Sequence, residues 1–279
     1  MAIIDGKKLS REIIENLKKE REKIKEKIIF GAVLVGSDPA SLSFLKKKKE
    51  IASELNIDFR LYQFSENIKT KELRKKVSSL CRIPYMRSVI VQLPLPFHIN
   101  KTVVLNAILE SKDPDCLNER NLGRFYNNRS FVLPPVVKAV DFLLKKYKIN
   151  IFRKKILIIG AGFLTGKPLS IYFLNQKASF TVLEKKLKNK EEFIKKADII
   201  FTCAGQPNLI KGKMIKKGAF IFDLSYNFFK GKLVGDCEKK SVAKKAKIYS
   251  PVPNGLGPLT VAFLFSNVLS LTKKALHLL

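Results

Sequence analysis

The chain has 279 residues, 46% of them hydrophobic, and a formal net charge of +30. That length and apolar content support a sizeable core and suit two modest lobes better than one. No early apolar run has the length or flanks of a signal peptide, and no stretch approaches the roughly 20 apolar residues that cross a bilayer, so the expected location is the cytoplasm, with no membrane partner.

Cys81, Cys116, Cys203 and Cys237 lie far apart without CxxC spacing, and only His98 and His277 offer imidazoles. Neither a disulfide framework nor a metal site is expected. The positive charge suits anionic partners, but 44 of the 54 basic residues are Lys and ten are Arg. Base reading and bidentate phosphate recognition favour Arg, and these lysines are dispersed, so no specific nucleic-acid partner is expected.

Taken in chain order, residues 11–28 alternate Ile13, Ile14, Leu17, Ile24 and Ile28 with charges, predicting an amphipathic helix with Ser10 as its N-cap. Residues 28–36 read as a buried strand, 41–55 as a helix, 59–64 as a strand, 71–80 as a charged helix and 88–96 as a strand. This alternation predicts a parallel sheet. A helix fits 101–111, followed by the polar stretch DPDCLNERNLGRFYNNRS. A second lobe then opens with a helix at 136–147, a strand at 155–159, a glycine turn, a helix at 167–175 and a strand at 179–184. Further strands fit 197–204 and 219–224, and an apolar helix at about 259–271 suits packing on the first lobe.

Within KKILIIGAGFLTGKPLS, Gly160, Ala161, Gly162 and Gly166 form GxGxxxG between a strand and a helix. Glycine permits a tight turn and close backbone approach, and a helix N-terminus favours a pyrophosphate; the same spacing also serves ordinary strand-to-helix turns. Glu184 follows Gly160 by 24 residues, where a carboxylate would bind an adenosine ribose, which favours NAD. Lys185, Lys186 and Lys188 beside it would instead neutralise a 2'-phosphate, so these residues leave NAD and NADP open.

Four lysines stand in a row from Lys46 to Lys49 inside the 41–55 helix. At about 100° per residue, Phe44, Leu45, Ile51, Ala52 and Leu55 form one apolar arc, with Lys48 near its middle. An inward lysine is partly desolvated, which lowers its pKa and suits it to proton transfer; a surface lysine laying its stem along the helix is the plainer alternative.

VGSDPASLSFLKKKKEIASELNI, VQLPLPFHIN, KDPDCLNERNLGR, IIGAGFLTGKPLS, ADIIFTCAGQPNLI, GAFIFDLSYN, LVGDC and SPVPNGLGPLTVAFLFSN together resemble, in order, the bifunctional methylenetetrahydrofolate dehydrogenase/cyclohydrolase family. The resemblance implies two α/β lobes around a cleft. One is a folate-binding catalytic lobe, residues 1–133, joined by the C-terminal helix 259–279. The other is a Rossmann-type NAD(P)-binding lobe, residues 134–258. It implies NADP as cofactor, tetrahydrofolate derivatives as substrates with an anionic glutamate tail, a homodimer, and no metal. The implied reactions are hydride transfer from 5,10-methylenetetrahydrofolate to the nicotinamide and hydrolysis of the resulting methenyl cation to 10-formyltetrahydrofolate, a one-carbon supply of the kind purine biosynthesis uses.

Residue by residue, the resemblance makes Lys48 the catalytic lysine, Gln92 its positioning amide and Asp115 the carboxylate on the pterin edge. Phe44 stands where the family has tyrosine, keeping a ring for folate but not the hydroxyl. Pro253, Gly255 and Gly257 correspond to the loop lining the cleft. Gly160, Ala161, Gly162, Gly166, Lys185 and Tyr226 fall at cofactor positions. Several departures touch these sets: Gly162 replaces a serine, Cys116 and Leu117 replace Gly-Phe, PPVV replaces PCTP, and Ser225 and Tyr226 replace Gly-Ile.

Overall fold

The computed structural model describes residues 2–184, 186–229 and 232–278. The first part of the chain runs β1 (Ala2–Ile3), α1 (Gly6–Glu22), β2 (Ile29–Val35), α2 (Pro39–Glu54), β3 (Asp58–Phe64), α3 (Thr70–Leu80), β4 (Met86–Val91), α4 (Lys101–Leu105) and α5 (Glu119–Tyr126). After it come α6 (Pro135–Lys146), β5 (Ile156–Ile159), α7 (Gly166–Asn175), β6 (Phe180–Leu183), α8 (Lys190–Lys196), β7 (Ile199–Thr202) and β8 (Phe220–Asp223). The hairpin β9 (Asn227–Phe229) and β10 (Lys232–Val234) precedes α9 (Lys239–Lys245), β11 (Ile248–Ser250) and α10 (Leu256–Ala275).

Two compact units result, one of Glu12–Pro135 with Val261–Leu279, the other of Met1–Arg11 with Val136–Thr260. In the first, three parallel strands lie in the order β3-β2-β4. All seven residues of β2 are buried, as the central strand of a sheet covered on both faces requires. Its inward residues Phe30, Ala32 and Leu34 pack with Ile14 and Leu17 of α1, Leu45 and Ala52 of α2, and Ala262, Phe265, Val268 and Leu269 of α10. Phe30 meets Phe59 and Phe265 edge-on, at 5.4 and 5.5 Å between centroids. The C-terminal helix thus returns to the first lobe's core, as expected.

The second unit holds a six-stranded sheet in the order β1-β11-β8-β7-β5-β6, parallel at every pairing. The strands here have at most four residues and are mostly apolar, and Phe173, Phe201 and Phe222 pack through its core, the last two stacked at 4.8 Å. The chain's first strand was not legible: Ala2 and Ile3 pair with Ile248 and Tyr249. That pairing draws residues 1–11 into this unit, whereas the expected division counted them with the first lobe.

Other differences have local causes. Helix α1 starts at Gly6 because Asp5 Oδ1 accepts the Lys8 N–H at 2.9 Å, so Asp5 and not Ser10 serves its first turn. Ser10 lies inside the helix and its hydroxyl donates to the Lys7 carbonyl at 2.8 Å. The helix stops at Glu22, where the Arg21 guanidinium donates to the carbonyls of Asn56, Ile24 and Glu26. Helix α4 ends at Leu105 because the Asn106 side chain turns to Glu119, accepting its N–H at 2.9 Å and donating to its carboxylate at 2.6 Å. The polar stretch after it contains α5, opened by Asn118, whose Oδ1 accepts the Arg120 N–H. Helix α10 is, among the described residues, the one helix long and apolar enough to cross a membrane, which the sequence reading did not count; 61% of its apolar window is buried inside the protein.

Candidate active site

Helix α2 positions the lysine. Asp38 caps it, its carboxylate accepting the Ser41 N–H at 2.8 Å, and Pro39 occupies the first turn. From that start, Leu45, Ala52 and Leu55 face the core while Lys46, Lys47 and Lys49 are exposed. Lys48 is half-buried between them, with Phe44 half-buried one turn earlier.

The Lys48 ammonium donates to Gln92 Oε1 at 3.0 Å. Gln92 sits just beyond β4, its own N–H still bonded to the Val33 carbonyl at 2.8 Å. Its amide is oriented by a second bond, Nε2 to the Leu93 carbonyl at 2.9 Å, which turns the acceptor oxygen toward the lysine. Burial lowers the Lys48 pKa, and the Asp115 charge partly opposes the drop. Reciprocally, burial raises the Asp115 pKa against the pull of Lys48. The two groups therefore feel each other's charge in a weakly solvated setting, which favours the neutral form of each.

Asp115 rides on a tightly held loop between a 3-10 turn at Glu110–Lys112 and α5. The fully buried Asp113 accepts from the Asn118 N–H at 2.8 Å and from Asn121 Nδ2 at 3.0 Å through one oxygen. Its other oxygen has no partner, and burial pushes the carboxyl up to about 6. Cys116 adopts φ of 59°, and its thiol reaches the Val132 carbonyl at 3.7 Å and Ser130 at 3.8 Å. Burial pushes that thiol up to about 12.

The glycine turn lies in the other unit, between β5 and α7. Gly160 has φ of +97°, and a Cβ there would stand 2.6 Å from the Cys203 carbonyl oxygen. A Cβ on Gly166 would stand 1.9 Å from the Gly160 carbonyl oxygen, so both positions admit only glycine. Gly162 meets nothing within 4 Å, so the fold does not demand glycine where the family has serine. This open turn at the head of a ten-residue helix, with strand and helix backbones in contact, fits a dinucleotide's pyrophosphate. Ala161 is half-buried in the turn, and Glu184, Lys186 and Lys188 are exposed beyond β6. Lys185 lies outside the described residues.

Facing that turn, the loops after β7 and β8 are gathered by one carboxylate. Fully buried Asp236 accepts from Thr202 Oγ1 at 2.6 Å, Ala204 N at 2.7 Å, Gln206 N at 2.7 Å and Asn227 Nδ2 at 3.3 Å. Asp223 supports it from below, accepting the N–H groups of Ser225, Asp236 and Cys237, with its pKa pushed up by burial to about 6. Tyr226 is half-buried beside this network. Gly255 closes the nearby loop, since a Cβ there would stand 2.2 Å from the Pro251 carbonyl; Pro253 follows a cis bond and is exposed, and Gly257 has open space. Lys48, Gln92, Asp115 and Phe44 thus share one unit, and the glycine turn, Tyr226 and the Pro253–Gly257 loop share the other. Asp113, Asp223 and Asp236 went unremarked as single residues, although KDPD, GAFIFDLSYN and LVGDC carry them.

A parallel-sheet dinucleotide unit coupled in one chain to an α/β unit bearing a desolvated lysine on an amide and a carboxylate is the plan of a nucleotide-dependent enzyme. The chain belongs to the tetrahydrofolate dehydrogenase/cyclohydrolase family: the model of that family's catalytic domain matches residues 4–115, and the model of its NAD(P)-binding domain matches 134–276. Among its relatives, the bifunctional protein FolD of Hydrogenobaculum is 36% identical over 98% of this chain and 99% of its own length. The crystal structure of the bifunctional FolD of Campylobacter jejuni has a TM-score of 0.94 at 35% identity, covering 99% of both chains. That of the Trypanosoma brucei FolD, complexed with NADP and an inhibitor, has a TM-score of 0.93 at 28% identity, covering 99% of this chain and 98% of that one.

Proposed function

We propose that this chain oxidises 5,10-methylenetetrahydrofolate with NADP and hydrolyses the methenyl product to 10-formyltetrahydrofolate, with Lys48 as the proton-transferring group. The observation that carries this reading is the half-buried Lys48–Gln92 hydrogen bond beside Asp115. Burial lowers the Lys48 pKa and so favours the neutral amine, the form that does not repel the methenyl cation and has a lone pair for water. As water attacks the methenyl carbon, the neutral amine takes one of its protons; the ammonium then returns a proton to N5 as the C–N5 bond breaks, and the remaining hydroxyl proton is released to solvent as the C=O forms, leaving the formyl group on N10.

Gln92 holds the amine in place without adding a competing charge. Asp115 accepts paired N–H bonds from the pterin edge, and Phe44 offers a ring face to the folate. Bound NADP supplies the hydride acceptor. Gly160, Ala161, Gly162 and Gly166 would hold its pyrophosphate, and the family resemblance assigns Tyr226 and Lys185 to the cofactor and the Pro253, Gly255 and Gly257 loop to the substrate. Glu184 at the end of β6 favours ribose hydroxyls, so NAD is retained as a second acceptor. We further place the enzyme in the cytoplasm as a homodimer serving purine biosynthesis, with polyglutamylated folates drawn by its lysine-rich surface.

Lys48→Met tests the mechanism: it keeps the stem's volume and removes the amine. Hydrolysis of methenyltetrahydrofolate should vanish while the melting temperature stays near that of the parent; hydrolysis at the parent rate would overturn the assignment. Oxidation should be followed with NADP and with NAD in parallel.

A further inference from the structure

The C-terminal helix carries a polar side chain that hydrogen-bonds the chain on both sides of α5, including the segment that presents Asp115. Asn267 is fully buried in α10, and its Nδ2 donates to the Pro114 carbonyl at 2.9 Å and to the Leu133 carbonyl at 2.8 Å. Both amide protons are thereby used. The Pro114 carbonyl belongs to the peptide that joins Pro114 to Asp115, so fixing that oxygen fixes the plane from which the Asp115 side chain departs. The Leu133 carbonyl lies next to Val132, whose oxygen receives the Cys116 thiol. One amide therefore ties together the two strands of chain on either side of α5.

Its own anchorage is rigid. Phe265, Val268 and Leu269, the neighbours of Asn267 on α10, are fully buried against β2 and α1. On the far side of Asp115, Asp113 grips Asn118 and Asn121. The loop is braced from within by Asp113 and from α10 by Asn267, while Asp115 carries no such structural duty for the helix.

We infer that Asn267 is a positioning residue for the folate site, setting the Asp115 carboxylate against Lys48 through the Pro114 and Leu133 carbonyls. This rests on the reading of Asp115 as the pterin-binding carboxylate. It predicts that Asn267 matters to substrate and to the lysine, and not to the cofactor. It also gives the returning helix a function beyond closing the core.

The test is Asn267→Ala in the full-length enzyme, alone and combined with Asp115→Asn. Removing both donors should raise the KM for methylenetetrahydrofolate about tenfold, the factor equivalent to one hydrogen bond's net worth, with the KM for NADP unchanged. The Asp115 charge raises the Lys48 pKa, so its displacement should also move the alkaline-active limb of methenyltetrahydrofolate hydrolysis to lower pH; a merely structural clasp would leave that limb in place. In the Asp115→Asn background, Asn267→Ala should add little. If Asn267→Ala fails to fold, Asn267→Ser, which retains a shorter donor and room for a water, should show the same selective changes at smaller size. Parent values of folate KM and pH profile in a folded variant would overturn the inference, as would a full additive loss in the Asp115→Asn background. If Asp115→Asn alone leaves the folate KM unchanged, the reading of Asp115 itself fails, and this inference with it.

Discussion

Asp236→Asn should loosen the cofactor unit in a measurable way. Each Asp236 oxygen accepts two donors, Thr202 Oγ1 and Ala204 N on one side, Gln206 N and Asn227 Nδ2 on the other. An amide can present an acceptor to only one pair. Whichever way it turns, its NH2 faces a backbone N–H, which is left without a partner in a buried place. One orphaned backbone donor costs about 1–3 kcal/mol, and the surviving bonds lose their charge assistance, so the total comes to about 3 kcal/mol. That is a fall in melting temperature on the order of 10 °C for a unit of this size. The affected loop stands against Gly160, whose Cβ position is 2.6 Å from Cys203, so the KM for NADP should rise while the folate KM does not. Thermal unfolding and steady-state kinetics with each substrate varied provide the assay. A melting temperature within about 2 °C of the parent, less than 1 kcal/mol on the same scale, would refute the argument that this carboxylate organises both loops.

Gly166→Ala should disrupt the turn outright, because its Cβ would lie 1.9 Å from the Gly160 carbonyl oxygen, whereas Gly162→Ser should fold with unchanged stability and bind NADP more tightly. Calorimetry and cofactor titration separate the two. Asp113→Asn should flatten the acid side of the stability profile: with a folded pKa of about 6 against the ordinary 3.8, the native state binds the proton more tightly than the unfolded chain. Its contribution, about 3 kcal/mol, is present below pH 3.8 and is lost as pH rises through about 6. Denaturant unfolding between pH 4 and 7 would show this slope reduced in the variant.

Most of the architecture was legible because it rests on periodicity. The β2 run is buried on both faces and reads as an unbroken apolar strand, and the α2 arc singles out Lys48 because helical spacing is a local property. What escaped depends on partners distant in sequence. A two-residue strand such as β1 has no pattern of its own and exists only because β11 offers it an edge. Helix α5 was hidden by polar composition, since Asn118, Asn121 and Asn106 spend their side chains on caps and cross-links that composition cannot foretell. The same holds for Asp236 and Asn267, whose significance is the set of donors or carbonyls that folding brings to them.

The two departures from the family pattern that bear on glycine have opposite physical meanings. Gly162 occupies open space, so a side chain could return there without moving anything, and its absence costs the fold nothing. Cys116 does the reverse. It takes a left-handed conformation, φ of 59°, where the family has glycine, at a cost of about 1–2 kcal/mol. Its thiol offsets part of that by reaching the Val132 carbonyl and Ser130, tying the Asp115 loop to the segment that Asn267 also holds. A strained residue beside Asp115 is tolerable only where the loop is over-determined, and the convergence of Asp113, Cys116 and Asn267 on six residues provides that constraint.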